Sequence, residues 1–233
     1  MPLLVCHYLS FVFFGVSLAF SFLLPKIDEE EKEEKEEGRA HFKLGRGVIF
    51  FVLSTVFLYG VFGAFFYILP VSLKSLGASD SDYSLMRDVS VIMEFIFLLI
   101  VPLFKKYFKD KRVPIVIFGI LIIASTGVGV FLNTPEGLGY TSFIFSGIGK
   151  AFLFAYQAML LRDIVGEGKL APVLTVTTGL VNLMSTLLGF LSSTIYQSLG
   201  FAGYFALITG LEALGLVFVF FIPREKKELA CEK

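Results

Sequence analysis

Apolar residues run almost unbroken through seven stretches of the chain: Leu3 to Leu24, then near Val48–Pro70, Ser84–Phe104, Val113–Leu132, Tyr140–Leu161, Leu170–Ile195 and Phe201–Ile222. A helix needs roughly 20 predominantly apolar residues to cross the hydrocarbon of a bilayer, and each stretch has about that length. Lipid offers no partners to backbone amides, so each stretch predicts an α-helix; an outer-membrane barrel would show short alternating strands instead. The first stretch has no basic region before it, is long for a signal peptide and meets acidic charge at once, so it too predicts a spanning helix. Polar residues gather between the stretches, most densely in 26–46 with its run DEEEKEEKEE. That run has no apolar face to bury and predicts a linker or solvated helix. The expected organisation is a helix over 1–25, a charged linker over 26–46, six helices over 47–223 and a tail over 224–233.

Composition supports an all-α integral membrane protein of about seven transmembrane helices. Of 233 residues 56% are hydrophobic, 28 are Phe and only 17% are charged, too little polar surface for a soluble domain of this size. The net charge is zero, which gives no basic surface for nucleic acid. Cys6 and Cys231 are the only cysteines, and they support neither a disulfide nor a zinc site.

Lys and Arg set the expected orientation. Seventeen fall in 26–46, 105–112, 162–169 and 224–233, against Lys74 and Arg87 on the other side, with Lys150 inside a stretch. Cytoplasmic loops carry the excess of Lys and Arg, so the linker and C-terminus are expected in the cytoplasm, in a multi-pass protein of the plasma membrane. An odd number of spans then puts Met1 outside. A short, uncharged outer N-terminus without a signal suggests that an upstream part is missing.

Two stretches carry a family resemblance: YILPVSLKSLGASDSDYSLMRDVSVIMEF, and DIVGEGKLAPVLTVTTGLVNLMSTLLGFLSSTIYQSLGFAGYF. From about Gly47 to Pro223 the chain resembles the C-terminal six-helix half of a major facilitator superfamily transporter, nearest the monocarboxylate-transporter branch. Family members have a similar D-L-V-G-x-x-K-L opening, then a Gly-containing helix and a Y-x-x-x-G turn. The resemblance implies two inverted repeats of three helices. It also makes the first helix the last of an N-terminal transporter half, which becomes an expected partner. In the family the second helix of this half holds an acidic residue followed four positions later by Arg; Glu94 falls at the first position and Leu98 at the second.

Ionisable residues at bilayer depth are costly and mark candidate sites. Glu94, Lys150 and Glu212 each lie eleven or twelve residues before an inner charge, at Lys105, Arg162 and Arg224. At 1.5 Å per residue this puts all three about 16–18 Å from the inner surface. A Glu94–Lys150 pair would keep both ionised, whereas an unpaired Glu could bind a proton; a buried pair that only fixes packing is the plainer alternative. Thr178, Asn182, Ser185, Gly189 and Ser192 form a polar stripe. Lys150 and Gln157 share a face, and Tyr59, Gly63 and Tyr67 recur every four residues. Small-residue packing between helices accounts for the Gly and Ser positions. The candidate substrate and proton site is therefore Glu94, Lys150, Asn182, Tyr59, Tyr67 and Gln157. The basic cluster KKYFKDKR reads as a topology anchor, or, by the resemblance, as a loop that gates the inner side.

Secondary active transport of a small organic solute by alternating access is the leading functional reading, with a proton-coupled monocarboxylate symporter as its finer form. A truncated, non-transporting regulatory or binding protein is the alternative. A seven-helix receptor is disfavoured by the absence of D/E-R-Y, N-P-x-x-Y and Trp. His7 and His41 are the only histidines; no catalytic or metal cluster can be drawn from them, so neither an enzyme nor a cofactor is expected.

Overall fold

The computed structural model of the chain describes residues 45–223, apart from the Glu167 side chain. The expected helix over 1–25, the linker up to Leu44 and the tail from 224 lie outside the described residues. Every element described is helical.

Helix α1 covers Arg46–Ser75. It is α-helical over Arg46–Thr55, widens to a π-helix over Val56–Gly60 and returns to α over Val61–Ser75. Its end is a Schellman motif: Ala78 N–H reaches the Leu73 carbonyl and Gly77 N–H that of Lys74, both within 3.1 Å, with Gly77 at φ 101°. Only glycine takes that conformation without steric cost. Helix α2, Asp80–Phe104, begins at once. Ser79 Oγ accepts from Asp82 N–H, and the Asp82 carboxylate accepts from Ser79 N–H, a reciprocal capping box.

Helix α3 runs through Arg112–Gly127 and a 3₁₀ turn, Val128–Val130. Helix α4, Pro135–Val165, has proline at its first position, where no amide donor is lost, and Thr134 as its cap. The last helical run, Glu167–Phe220, is broken at Gly200, whose φ of 72° and ψ of −176° are not helical. It therefore forms two arms, α5 over 167–199 and α6 over 201–220.

Four helices are long and apolar enough to cross a membrane: Arg46–Ser75, Arg112–Val130, Pro135–Val165 and the bent run Gly168–Phe220. Helix α2 does not meet that test, because even its last eighteen residues, 87–104, hold three charged residues, Arg87, Asp88 and Glu94. The sixth and seventh expected spans, Leu170–Ile195 and Phe201–Ile222, are one run turned at a single glycine.

Small residues bring the rods together. A Cβ at Gly139 or Gly147 of α4 would collide with Met86 or the Ser90 backbone of α2, and one at Gly149 with Ile122 and Phe118 of α3. Hydroxyls follow the same seams, with Ser90 and Ser146 3.2 Å apart and Ser142 donating to the Ser125 carbonyl at 2.7 Å. Close backbone approach and interhelical hydroxyl bonds are what hold helices together where lipid removes the hydrophobic drive. Helices α2 and α3 thus flank α4, while α1 and α3 pack on the bent run. The apolar faces of α2 and α5 point outward, as at Phe95, Leu99, Leu103, Leu183, Leu187 and Phe190.

At one end of the bundle the helices are tied together. Arg112 bonds the Asp110 carboxylate and, at 3.0 Å, the Ile222 carbonyl; Lys111 pairs with Asp163 at the end of α4. Gly47 packs between Pro223 and Ile164. The basic cluster between α2 and α3 is therefore engaged in structural ties through Lys111 and Arg112.

Candidate functional site

A cavity of about 590 Å³ lies among α1, α2, α4 and α5. Five of the six candidate residues line it: Tyr59, Glu94, Lys150, Gln157 and Asn182. Each comes from a different turn or helix, so the folding of four rods is what assembles them.

Tyr59 sits in the π segment of α1. A π turn inserts a residue into the helix and often marks a functional position. Here it accompanies close packing on both sides: a Cβ at Gly60 would stand 2.7 Å from Met184 Cβ, and Gly215 of α6 approaches the Leu58 amide. The Tyr59 ring stacks on Phe154 with centroids 5.0 Å apart. Its hydroxyl is buried and has no hydrogen-bond partner. A buried hydroxyl without a partner costs free energy unless something supplies one, and the cavity is where that partner would sit.

Lys150 and Glu94 are both half-buried in the wall. The ammonium stands over two rings of α1, 5.3 Å from the Phe62 centroid and 4.8 Å from that of Phe66. It forms no ion pair with Glu94 within 4.0 Å. Phe62 and Phe66 lie one turn apart on one face, so the pair makes an aromatic seat for the cation. Lys150 and Glu94 therefore offer one charge of each sign to the same space. Gln157 is buried at 6% exposure, two turns from Lys150 on α4, and Asn182 is exposed on α5.

Protein-family models, curated proteins and solved structures contain no match to this chain.

Tyr67, the sixth candidate, is elsewhere. It is 55% exposed, and its ring covers Gly189 of α5. Four-residue steps advance roughly 40° past a full turn each time, so Tyr67 is already well round the helix from Tyr59. The polar stripe of α5 divides in the same way. Thr178, Asn182 and Ser185 line the cavity, whereas Gly189 packs on Tyr67 and Ser192 bonds Tyr204 at 2.9 Å.

Several cavity residues carry no polar signal in the sequence. Phe51, Phe62, Phe66 and Phe154 form much of the wall, and in a chain with 28 Phe nothing singles them out. Thr177 also lines the cavity while donating to the Val173 carbonyl at 2.7 Å; its place beside Thr178 could have suggested it. Glu212 is outside the cavity, in the interface of α3 and α6, where its Oε2 is 2.6 Å from Thr126 Oγ1.

Proposed function

We propose that the chain is one part of a secondary transporter that carries a small organic solute across a membrane. The observation that carries this reading is the cavity, which holds a cation seated on aromatic rings, a carboxylate and an unpartnered phenol hydroxyl among apolar walls. Binding sites of this size are typically apolar with a few convergent polar groups. Ionisable groups inside a helical bundle usually serve solute or ion pathways. Lys150 would bind the anionic end of a solute such as a monocarboxylate, Tyr59 and Asn182 would orient it, and Glu94 would exchange the coupled proton.

In this reading the chain adds six spans, α1 to α6, to the helix over 1–25. The linker and tail are cytoplasmic, and a second helical half packs against the outward faces of α2 and α5. The arrangement follows the major facilitator resemblance.

The test is uptake into proteoliposomes of a panel of labelled organic anions, cations and neutral solutes under an imposed proton gradient. It is run with the chain alone and together with a candidate N-terminal half. Uptake of an organic anion that Lys150→Met abolishes while expression holds supports the reading. No uptake or binding of any solute, or uptake indifferent to Lys150, Tyr59 and Glu94, rejects it. Reagent access to a tag in 26–46 tests orientation: labelling in intact cells rejects the cytoplasmic assignment.

A further inference from the structure

Glu212 is fully buried, with 0% exposure, on α6. No cation lies within 4.0 Å of it among the described residues. The helices packed on this arm are α1, α3 and the end of α5; their charged residues stand at helix ends, Arg46 and Lys74 on α1, Arg112 on α3 and Glu167 and Lys169 on α5, and α5 sets Tyr196 against Tyr204. Arg112 precedes Thr126 by fourteen residues, about 21 Å of helix. Tyr204, two turns earlier on the same arm, is the titratable neighbour, and its hydroxyl is occupied by Ser192 and the Ala64 carbonyl.

The hydrogens around the carboxyl, taken with its burial, favour the protonated form. Thr126 Oγ1 has three neighbours at hydrogen-bond distance: Glu212 Oε2 at 2.6 Å, the Ile123 carbonyl at 3.0 Å and Thr209 Oγ1 at 3.3 Å. Thr209 Oγ1 lies 2.7 Å from the Phe205 carbonyl. Carbonyls only accept, and each threonine has one hydroxyl hydrogen. With the two hydrogens directed at the two carbonyls, the shortest contact of the group has none unless the carboxyl supplies it. With Thr126 turned to the carboxylate instead, the Ile123 contact is empty and a buried charge keeps a single hydrogen bond, since Oε1 has no partner at all. An isolated carboxylate in such surroundings is strongly disfavoured.

We propose that Glu212 is a proton-binding site separate from the Lys150 cavity. Its side chain holds a proton while α3 and α6 are packed, donating from Oε2 to Thr126 Oγ1, and releases it when the two helices part. Along the same interface, Val219 lies seven residues from Glu212 on the same face of α6. It lines a second cavity of about 330 Å³, whose wall also carries Asp110 and Arg112. The inference does not depend on the chain being a transporter.

The experiment is infrared difference spectroscopy on the purified full chain in lipid nanodiscs at neutral pH, wild type against Glu212→Gln. A protonated carboxyl has a C=O stretch, sensitive to deuterium, that a carboxylate lacks. Loss of that acid band in the variant is the expected result. Loss of carboxylate bands with the acid region unchanged overturns the proposal. Should Glu212→Gln fail to accumulate, Thr126→Val reads the same point. A shift of the acid band on removal of its acceptor supports a proton on Glu212, and an unchanged acid region rejects it. Labelling of Glu212 by an apolar carbodiimide, which attacks protonated carboxyls, is a second readout: modification mapped to Glu212 supports the site, and its absence in detergent-opened protein counts against release of the proton by separation of α3 and α6.

Discussion

The Lys150 ammonium is seated 4.8 Å from the centre of the Phe66 ring and makes no ion pair with Glu94, although both line one cavity. Removing one member of a buried ion pair typically costs about 3–5 kcal/mol because the other charge is stranded. A cation over aromatic faces is worth about 0.5–2 kcal/mol. The structure therefore predicts that Glu94→Gln and Lys150→Met act nearly independently. A double-mutant cycle on thermal or denaturant stability should give a coupling below about 1 kcal/mol. The same cycle between Lys150→Met and Phe66→Leu should give the larger coupling. A Glu94–Lys150 coupling of several kcal/mol would refute the cation–aromatic seat.

Gly63 and Ser185 supply a steric prediction. A Cβ on Gly63 would overlap the Ser185 hydroxyl and stand 2.9 Å from its Cβ. Gly63→Ala should push α1 and α5 apart and destabilise by about 1–3 kcal/mol, the usual range for overpacking. Ser185→Gly in the same chain should recover part of the loss, as read by unfolding in detergent. Equal stability of Gly63→Ala and wild type would mean that the two helices are not this close.

Much of the architecture is legible in the sequence because lipid and backbone chemistry leave few choices. The helices have their expected order, and the break between Ile195 and Phe201 falls at Gly200. Ends are less legible. Hydropathy begins α2 near Ser84, while the helix starts at Asp80 because its start is fixed by the Ser79–Asp82 cap and not by lipid. The π turn at Val56–Gly60 has no local signature, since it goes with packing against Met184 and Gly215. Depth and helical spacing singled out Glu94, Lys150, Gln157 and Asn182, which line one cavity, because those are one-dimensional properties. They could not say that Phe62 and Phe66 come beneath Lys150, nor that Tyr67 turns away onto Gly189, because both depend on how α1 is rotated.

At Gly200 the backbone has φ 72° and ψ −176°, a region almost closed to residues with a Cβ. A Cβ there would meet nothing within 4 Å, so the cost is conformational and not steric crowding by neighbours. Gly200→Ala should destabilise by about 1–3 kcal/mol, and a larger side chain should cost little more. A steep rise from Ala to Leu would point to crowding instead.

The Ser79–Asp82 box gives a pH prediction. Hydrogen bonds from the Ser79 hydroxyl and then its backbone amide hold the Asp82 carboxyl below the ordinary aspartate range. A depressed folded-state value means that this contribution is present above the unfolded value and is lost as pH falls through the folded one. Protection of the amides at the start of α2, relative to their intrinsic exchange at each pH, should therefore fall on acidification below the usual aspartate range. Ser79→Ala, which loses the hydroxyl but keeps the backbone amide, should weaken that pH response and cost about 1 kcal/mol. An unchanged response in the variant would exclude the box as its source.

The ties among helix ends have a mechanical consequence. Arg112 on the Ile222 carbonyl, Lys111 with Asp163, and Gly47 wedged between Pro223 and Ile164 bind the starts of α1 and α3 to the ends of α4 and α6. At the opposite end, among the described residues, the one ion pair is the short-range contact of Lys74 with Asp80. The bundle thus has a stiff base and a compliant rim, like a bundle of rods gripped in one hand. Parting the rods at the grip must break these ties, whereas at the rim the described residues offer no ion pair but that of Lys74 with Asp80.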